Sequence, residues 1–414
     1  METLRPLADL TAMSSALRDK LQEYWITTVD EFVATALSGN EIHGSGLAAM
    51  ALALGMREQD LEALVSAAQT LLPSGRSYSV PTGSDHGTGL VLGGYRDPAA
   101  ASFRVPTNLP EAVEPLGNLP PPGDQGERNS CVAFALTASF QVVSGDPMPL
   151  SEQFLYWACK QADGIPGDVG TNPLTAFHVL RDTGICRAAT WPYAPAPRDN
   201  DNPGHGPPPD TAVEEATLRR AKRFTPLPAK DFRALQSALA NGHPVLVGLN
   251  IREHWEDSWQ ATHLGRVRKA LPGERDRGGH AMCLMGYRNN ATAPGGGYFI
   301  VRNSWGTHWA KANPDGPGFC HVPYRLMAEN GLVALALEQV VVTQPSVRTP
   351  AVAVAPPVPV AAGAAATAGD DLAQLYAEAK ALHSQMGALV ERLAGLLGSE
   401  GGAAATSATK KKSG

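Results

Sequence analysis

Several absences narrow what this chain of 414 residues can do. It has no basic excess: 34 Lys and Arg against 40 Asp and Glu leave a net charge of −6. No global field therefore favours nucleic acid or an anionic membrane, and neither is expected as a partner. No apolar run approaches the roughly 18 residues that a membrane span needs. The start, METLRPLADLTAMSSALRDK, lacks an apolar stretch behind a basic head. A Sec-type signal is not expected, which points to the cytoplasm or to export by another route. Cysteine is scarce and odd in number, at Cys131, Cys159, Cys186, Cys283 and Cys320. No CxxC pair and no Cys/His cluster has zinc spacing, so neither metal nor cofactor is expected. The four cysteines besides Cys131 read as reduced, buried, small apolar residues.

The 34 prolines and 42 glycines gather in linkers and divide the chain. Residues 1–72 read as a small helical module, with apolar residues at helical spacing in LADLTAMSSALRDKLQEY and REQDLEALVSAAQTLL. Thr28, followed by Asp30 and Glu31, marks a helix start, and His43-Gly44-Ser45-Gly46 a break. The pattern loosely resembles helix-hairpin-helix modules, some of which bind DNA. Here acidic residues outnumber basic ones, and phosphate contact needs cations, so docking or packing is the expected role. Residues 73–107 read as an extended connector, with a short apolar stretch at Thr88 to Leu92. The main domain spans 108–343. Its first part reads as helices: CVAFALTASFQVV, LSEQFLYWACKQ with Ser151 as cap, and NPLTAFHVLRDTG. Its second part reads as strands: PVLVGLNI, HAMCLMGY, GYFIVRNSW and GFCHVPY. Helices first and strands later imply an α+β domain of two segregated halves.

Chemistry concentrates in three segments. GDQGERNSCVAFA carries Gln125 and Cys131, GGHAMCLMGY carries His280, and VRNSWGTHW carries Asn303. A thiol attacks a carbonyl usefully as thiolate, and an isolated Cys needs a helix N-terminus or a cation to reach that state. Cys131 stands where an irregular segment gives way to an apolar helix, at the positive end of its dipole. His280 as imidazolium would complete the ion pair and later protonate a leaving amine. An Asn amide oxygen orients an imidazole without adding charge, and Asn303 ends a strand that can hold it. Gln125 and the Cys131 backbone N–H are candidate donors to a tetrahedral oxyanion. Each signal alone fits a core residue or a turn, and the constellation is what points to acyl transfer.

That constellation resembles the papain-like cysteine peptidases over about residues 108–330. The matching pieces are Gln125 through Cys131, Leu150-Ser151-Glu152-Gln153, Trp191-Pro192-Tyr193, Gly279-His280-Ala281 with Gly286-Tyr287, and Asn303-Ser304-Trp305-Gly306-Thr307 with Trp309. The resemblance implies a two-lobed fold, helical in one lobe and antiparallel β in the other. It implies Cys131 as nucleophile, His280 as base, Asn303 as orienting group and Gln125 as oxyanion donor. Trp305 would shield the His280–Asn303 bond from water, and Gly170 and Gly279 would flank substrate backbone. Protein or peptide is the implied substrate. Three positions depart from the pattern. Arg128 replaces a disulfide cysteine, which fits a reducing compartment or a bacterial branch of the family. Asn129 replaces a glycine and Val132 a tryptophan. The stretch 253–278 is longer and more polar than a minimal peptidase needs, and reads as a rim over the cleft or a solvated loop.

Two other uses of the fold stay open at this point. One is an acyltransferase or transglutaminase-like reaction with the same triad, and the other a non-catalytic scaffold. Residues 344–369 read as a Pro/Ala linker, 370–398 as a helix and 399–414 as a disordered tail. Leu372, Leu375, Ala379, Leu382, Met386, Leu389, Leu393 and Leu396 form a heptad seam. Self-association or partner docking through 371–397 is therefore expected.

Overall fold

The computed structural model describes residues 4–40, 44–78, 80, 86–98, 106–165, 167, 169–195 and 205–343. The expected linker, heptad helix and tail lie outside these residues.

The N-terminal module begins with a 3-10 turn at Leu7–Asp9 and continues with α1 (Ser15–Glu23) and α2 (Val29–Leu37). A tight strand pair, β1 (Gly39–Asn40) and β2 (Gly44–Ser45), leads to α3 (Gly46–Leu54) and α4 (Glu58–Gln69). The expected start at Thr28 is a full capping box. Thr28 accepts from the Glu31 amide and the Glu31 carboxylate accepts from the Thr28 amide. Leu21, Ile26, Phe32, Val33, Leu54 and Leu61 form the module's dry centre.

The main domain opens with the short strand β3 (Ala112–Val113), followed by α5 (Cys131–Ser144), α6 (Glu152–Ala162), α7 (Pro173–Asp182) and α8 (Asp210–Ala216). Residues 131–141 of α5 are all buried, so α5 is a core helix rather than an amphipathic one. Ser151 caps α6 through the Phe154 amide. Asn172 caps α7, with Pro173 at the first helical position where its missing N–H costs nothing. The second half holds β4 (Arg219–Pro226), α9 (Phe232–Ala240), β5 (Val245–Arg252), α10 (His254–Asp257) and α11 (Trp259–Leu264). It closes with β6 (Asp276–Asn289), β7 (Gly297–Arg302), β8 (Phe319–Pro323), α12 (Tyr324–Asn330) and β9 (Gly331–Val342). The strands form one antiparallel sheet in the order β4-β9-β5-β6-β7-β8, with β3 added beside β6. The domain is thus papain-like in its two parts, a helical layer and an antiparallel β layer. One apolar cluster joins α5, α6 and α7 to the sheet, and a second fills the β part.

The segment 253–278 is neither a solvated loop nor a simple rim. It folds into α10, α11 and the start of β6, and it buries Trp255 and Trp259. The N-terminal module docks on it. The Gln260 side chain donates to the Trp25 carbonyl at 2.9 Å, and Leu271 enters the module's core. The Arg266 guanidinium lies 4.4 Å over the Trp25 ring and pairs with buried Glu31. The loop ahead of β6 is tied down by Glu274, which takes His254 on one oxygen and Arg268 on the other, each at 2.5 Å.

Arg128 stands where the resemblance puts a disulfide cysteine, and it is wholly buried. Its guanidinium donates to Gln153 at 2.7 Å and to the Ala194 carbonyl at 2.9 Å. It also lies over the rings of Tyr156 and Tyr193. A charged fork here ties the segment before α5 to α6 and to the loop around residue 194, the kind of cross-link a disulfide would supply. All five cysteines are free and buried. No helix of the described residues is long and apolar enough to cross a membrane.

Two outcomes follow. Arg128→Ala should lower stability by about 2 kcal/mol or more, because hydrogen bonds to a charged group contribute ~1.5–3 kcal/mol. Urea unfolding checks this. Burial alone would push the Glu274 carboxyl up, but His254 and Arg268 outweigh it and hold the pKa at about 2. A depressed carboxylate contributes stability above its ordinary pKa of 4.5 and loses it as pH falls through the folded value. Exchange of the Leu271 amide, which donates to Glu274 at 3.0 Å, should therefore accelerate as pH drops from 4.5 toward 2, once corrected for intrinsic rates. In Glu274→Gln it should already be fast at neutral pH.

Candidate active site

Cys131 is the first residue of α5, and Ser130 precedes it in a non-helical conformation. Across from it, β6 presents His280 and Ala281. The Cys131 sulfur accepts the Ala281 amide at 3.4 Å, so the thiol lies at the residue next to the imidazole. His280 Nε2 donates to Asn303 Oδ1 at 2.8 Å, and the same oxygen accepts the Ser304 amide at 2.8 Å. The oxygen is thereby fixed as acceptor and the ring orientation as well. His280 Nδ1 has no hydrogen-bond partner among the described residues. The Trp305 ring stacks on the imidazole at 4.9 Å between centroids and is itself fully buried, so it covers the His280–Asn303 bond.

Gln125 is also fully buried. Its Oε1 accepts the Ser304 hydroxyl at 2.6 Å, which turns Nε2 the other way. Nε2 donates to the Arg128 carbonyl at 2.7 Å and to the Gly87 carbonyl at 2.8 Å. Gly87 belongs to the connector. The site is therefore occupied by the chain's own residues 86–92.

This strap is held along its whole length. The Gly89 amide donates to the Cys131 sulfur at 3.3 Å. The Gly89 carbonyl accepts the Thr171 amide at 3.0 Å, and the Val91 amide donates to the Thr171 carbonyl at 3.1 Å. On the other side the Leu90 amide donates to the Gly279 carbonyl at 3.1 Å. Leu90 runs parallel to Thr171 and packs into the apolar cluster between the two layers. His86 stacks on Trp305 at 4.7 Å, and its amide donates to Glu256 at 2.9 Å. Glycine is required at 89 by close approach, since a Cβ there would lie 1.8 Å from the Asn129 carbonyl oxygen.

Gly279 thus pairs with extended backbone of the chain's own strap in the cleft. At the opposite wall the pairing residue is Thr171, one position past Gly170. Gly170 has φ +101, its carbonyl accepts Lys160, and a Cβ on it would strike Gly89 at 2.0 Å. It shapes the wall and leaves the hydrogen bonds to its neighbour. Sequence reasoning also missed Ser304, which aims the Gln125 amide; it put the connector from Arg76 to Thr107 where the chain could cross the cleft, but singled out no residue that holds it there. The alternation Gly87-x-Gly89 ahead of Leu90 was the available signal for backbone threading a narrow gap.

Burial sets the charge state. It pushes the Cys131 thiol up, against the lowering effect of the Ala281 and Gly89 amides and the helix start. It pulls His280 down to about 4, although the Asn303 bond opposes it. Under the strap both groups are uncharged at neutral pH. The thiolate–imidazolium pair expected from the sequence is not the state that this burial favours. Among the described residues no group of His, Cys, Asp and Glu is placed to hold a metal.

Residues 111–314 match the family described as papain family cysteine protease. An uncharacterized peptidase C1-like protein of Acanthamoeba polyphaga mimivirus is 26% identical over 246 residues, 56% of this chain and 71% of that protein. The cysteine endopeptidase RepA of Oryza sativa subsp. japonica is 28% identical over 259 residues, 60% of this chain and 62% of that enzyme. Xylellain, a cysteine protease from Xylella fastidiosa, shares the fold with a TM-score of 0.51 at 22% identity, over 63% of this chain and 98% of its own. The family match, these relatives and the shared fold agree: through residues 111–314 this chain belongs to the papain family of cysteine proteases, which are peptide-bond hydrolases.

Proposed function

We propose that this protein is a latent cysteine peptidase whose strap, residues 86–92, must leave the cleft before a protein or peptide substrate can enter. The observation that carries this reading is the double contact of the strap, Gly87 oxygen on Gln125 and Gly89 amide on Cys131. Those are the atoms a substrate carbonyl would meet.

In the open cleft the Cys131 proton passes to His280 Nδ1, the nitrogen left without a partner in the closed form. The thiolate attacks the scissile carbonyl carbon and the oxygen becomes an oxyanion. Gln125 Nε2, freed from Gly87, and the Cys131 backbone N–H donate to it. His280 then gives its proton to the leaving amine as the C–N bond breaks, leaving a thioester on Cys131. Water, deprotonated by His280, attacks the thioester and releases the acid. Asn303 holds Nε2 and so fixes the imidazole plane throughout.

Activity on peptide amides after strap release, together with labelling by a peptidyl epoxide, tests the reading. Cys131→Ala and His280→Ala should abolish both hydrolysis and labelling with the fold intact. Gln125→Ala should cost about 10²–10³ in kcat, the usual size for one oxyanion donor, and Asn303→Ala less than His280→Ala. Hydrolysis at full rate by Cys131→Ala would remove the thiol from the mechanism.

The strap makes a separate prediction. In the intact chain iodoacetamide should react with Cys131 slowly at pH 6, because the thiol is buried and protonated. Gly89→Val forces a side chain onto the Asn129 backbone and should raise the rate at Cys131 by about tenfold or more, the change expected for ~1.4 kcal/mol of strap destabilisation. Peptide mapping by mass spectrometry reads this out. Equal rates in the two proteins would show that the strap does not guard the thiol.

A further inference from the structure

A second cavity of about 280 Å³ lies in the β part, lined by residues that do not hold the strap. Its walls include Leu249, Asn250 and Arg252 of β5, His254 and Trp255 of α10, Lys269 and Glu274 of the following loop, and Asn330 at the end of α12. His254 is 1% exposed. Its Nδ1 is bonded to Glu274 Oε2 at 2.5 Å, and its Nε2 has no partner among the described residues.

The Glu274 carboxylate is saturated. Oε2 takes His254, while Oε1 takes Arg268 at 2.5 Å and the Leu271 amide at 3.0 Å. It can accept little more, and its role is to fix the imidazole plane. A buried, oriented imidazole with one unused nitrogen is the arrangement of a ligand-contacting histidine whose other nitrogen is held by a carboxylate. Metal is a poor fit, because no group of three His, Cys, Asp or Glu is assembled among the described residues. The lining holds two carboxylates, Glu274 and Glu329, and the cations Arg252 and Lys269; since Glu274 is neutralised by its own partners, the cations left over favour a negative ligand. Lys269 makes a ring contact with Tyr24 at 5.4 Å and no ion pair among the described residues, and Arg252 reaches Asp276 only at 3.9 Å. Asn250 and Asn330 add amide groups to the same walls.

We propose that this cavity binds a small oxyanion, a carboxylate or phosphate group, with His254 Nε2 and Lys269 as its principal donors. His254 keeps Nδ1 on Glu274 and turns Nε2 to the ligand. The ligand joins two attachment points. The helix α10 carries Glu256, which accepts the strap's His86 amide. The loop carries Leu271, which enters the N-terminal module. Occupancy braces the loop against α10, and the Leu271 amide exchanges more slowly when the site is filled.

The test uses the full chain and does not depend on peptidase activity. Sodium phosphate and sodium succinate are titrated separately by calorimetry, each against sodium chloride at equal ionic strength, with exchange at Leu271 followed in parallel. Saturable one-to-one binding of either anion, with slowed Leu271 exchange, is the expected result. Phosphate alone assigns a phosphoryl ligand, and succinate alone a carboxylate ligand. Lys269→Met, a change at a partly exposed position, should weaken binding by about tenfold, and His254→Phe should abolish it. No saturable binding of either anion, or undiminished affinity in Lys269→Met, overturns the proposal even if His254→Phe fails to fold.

Discussion

Helix α5 lies directly on strand β6, and the site depends on that contact. At one point the Cys131 sulfur takes the Ala281 amide, and at another Ser139 meets Cys283 at 3.3 Å. The helix is buried along residues 131–141, so it has no freedom to roll and its first turn has a single place to be. The residues that bring the thiol to the histidine are therefore core residues such as Leu136, Phe140 and Leu246, packed in the same cluster. The elements on either side serve this contact. Arg128 pins the segment entering α5, and Ser304 and Asn303, at the end of β7, set the angles of Gln125 and His280.

The strap exploits the same geometry. Two layers that present Thr171 on one side and Gly279 on the other leave a slot one backbone wide, with hydrogen-bonding groups on both walls. Extended chain fits it whether it comes from outside or from residues 86–92. The chain's own segment has the advantage of high effective concentration, and glycine at 87 and 89 lets it lie against the backbone of Arg128 and Asn129. Covering the slot removes water, and removing water discharges the thiol and the imidazole. In the proposed latent enzyme, closure of the cleft and neutralisation of these two groups are one physical event. The N-terminal module packs on the longer 253–278 segment through Trp25 and Glu31, which meet Gln260 and Arg266, and Leu271 enters its core.

Much of this was legible in the residues. Cap residues announced α2 and α6, because a side-chain oxygen ahead of an apolar run acts locally whatever surrounds it. The β-branched and apolar runs announced β5 to β8. The strands β4 and β9 were not singled out: RRAKRFTP is too charged to read as a strand without the neighbour that covers it, and it pairs with β9 at the end of the sheet. The placement of Cys131, His280, Asn303 and Gln125 could be anticipated from their motifs, since each motif carries its own turn or helix start.

The sequence by itself determined the helix that presents a thiol, the strand that presents an imidazole, and the amide groups that would serve them. It also determined that no disulfide or global charge assists. Only the tertiary structure decided that the connector lies inside the cleft, that Thr171 rather than Gly170 pairs with extended backbone, and that the thiol and imidazole rest uncharged. It alone decided that Arg128 takes over a cross-link and that His254 faces a cavity with one nitrogen unused. These outcomes depend on which distant segments exclude water from a given atom. Desolvation and close backbone approach are properties of the packed chain, and no local pattern of residues encodes them.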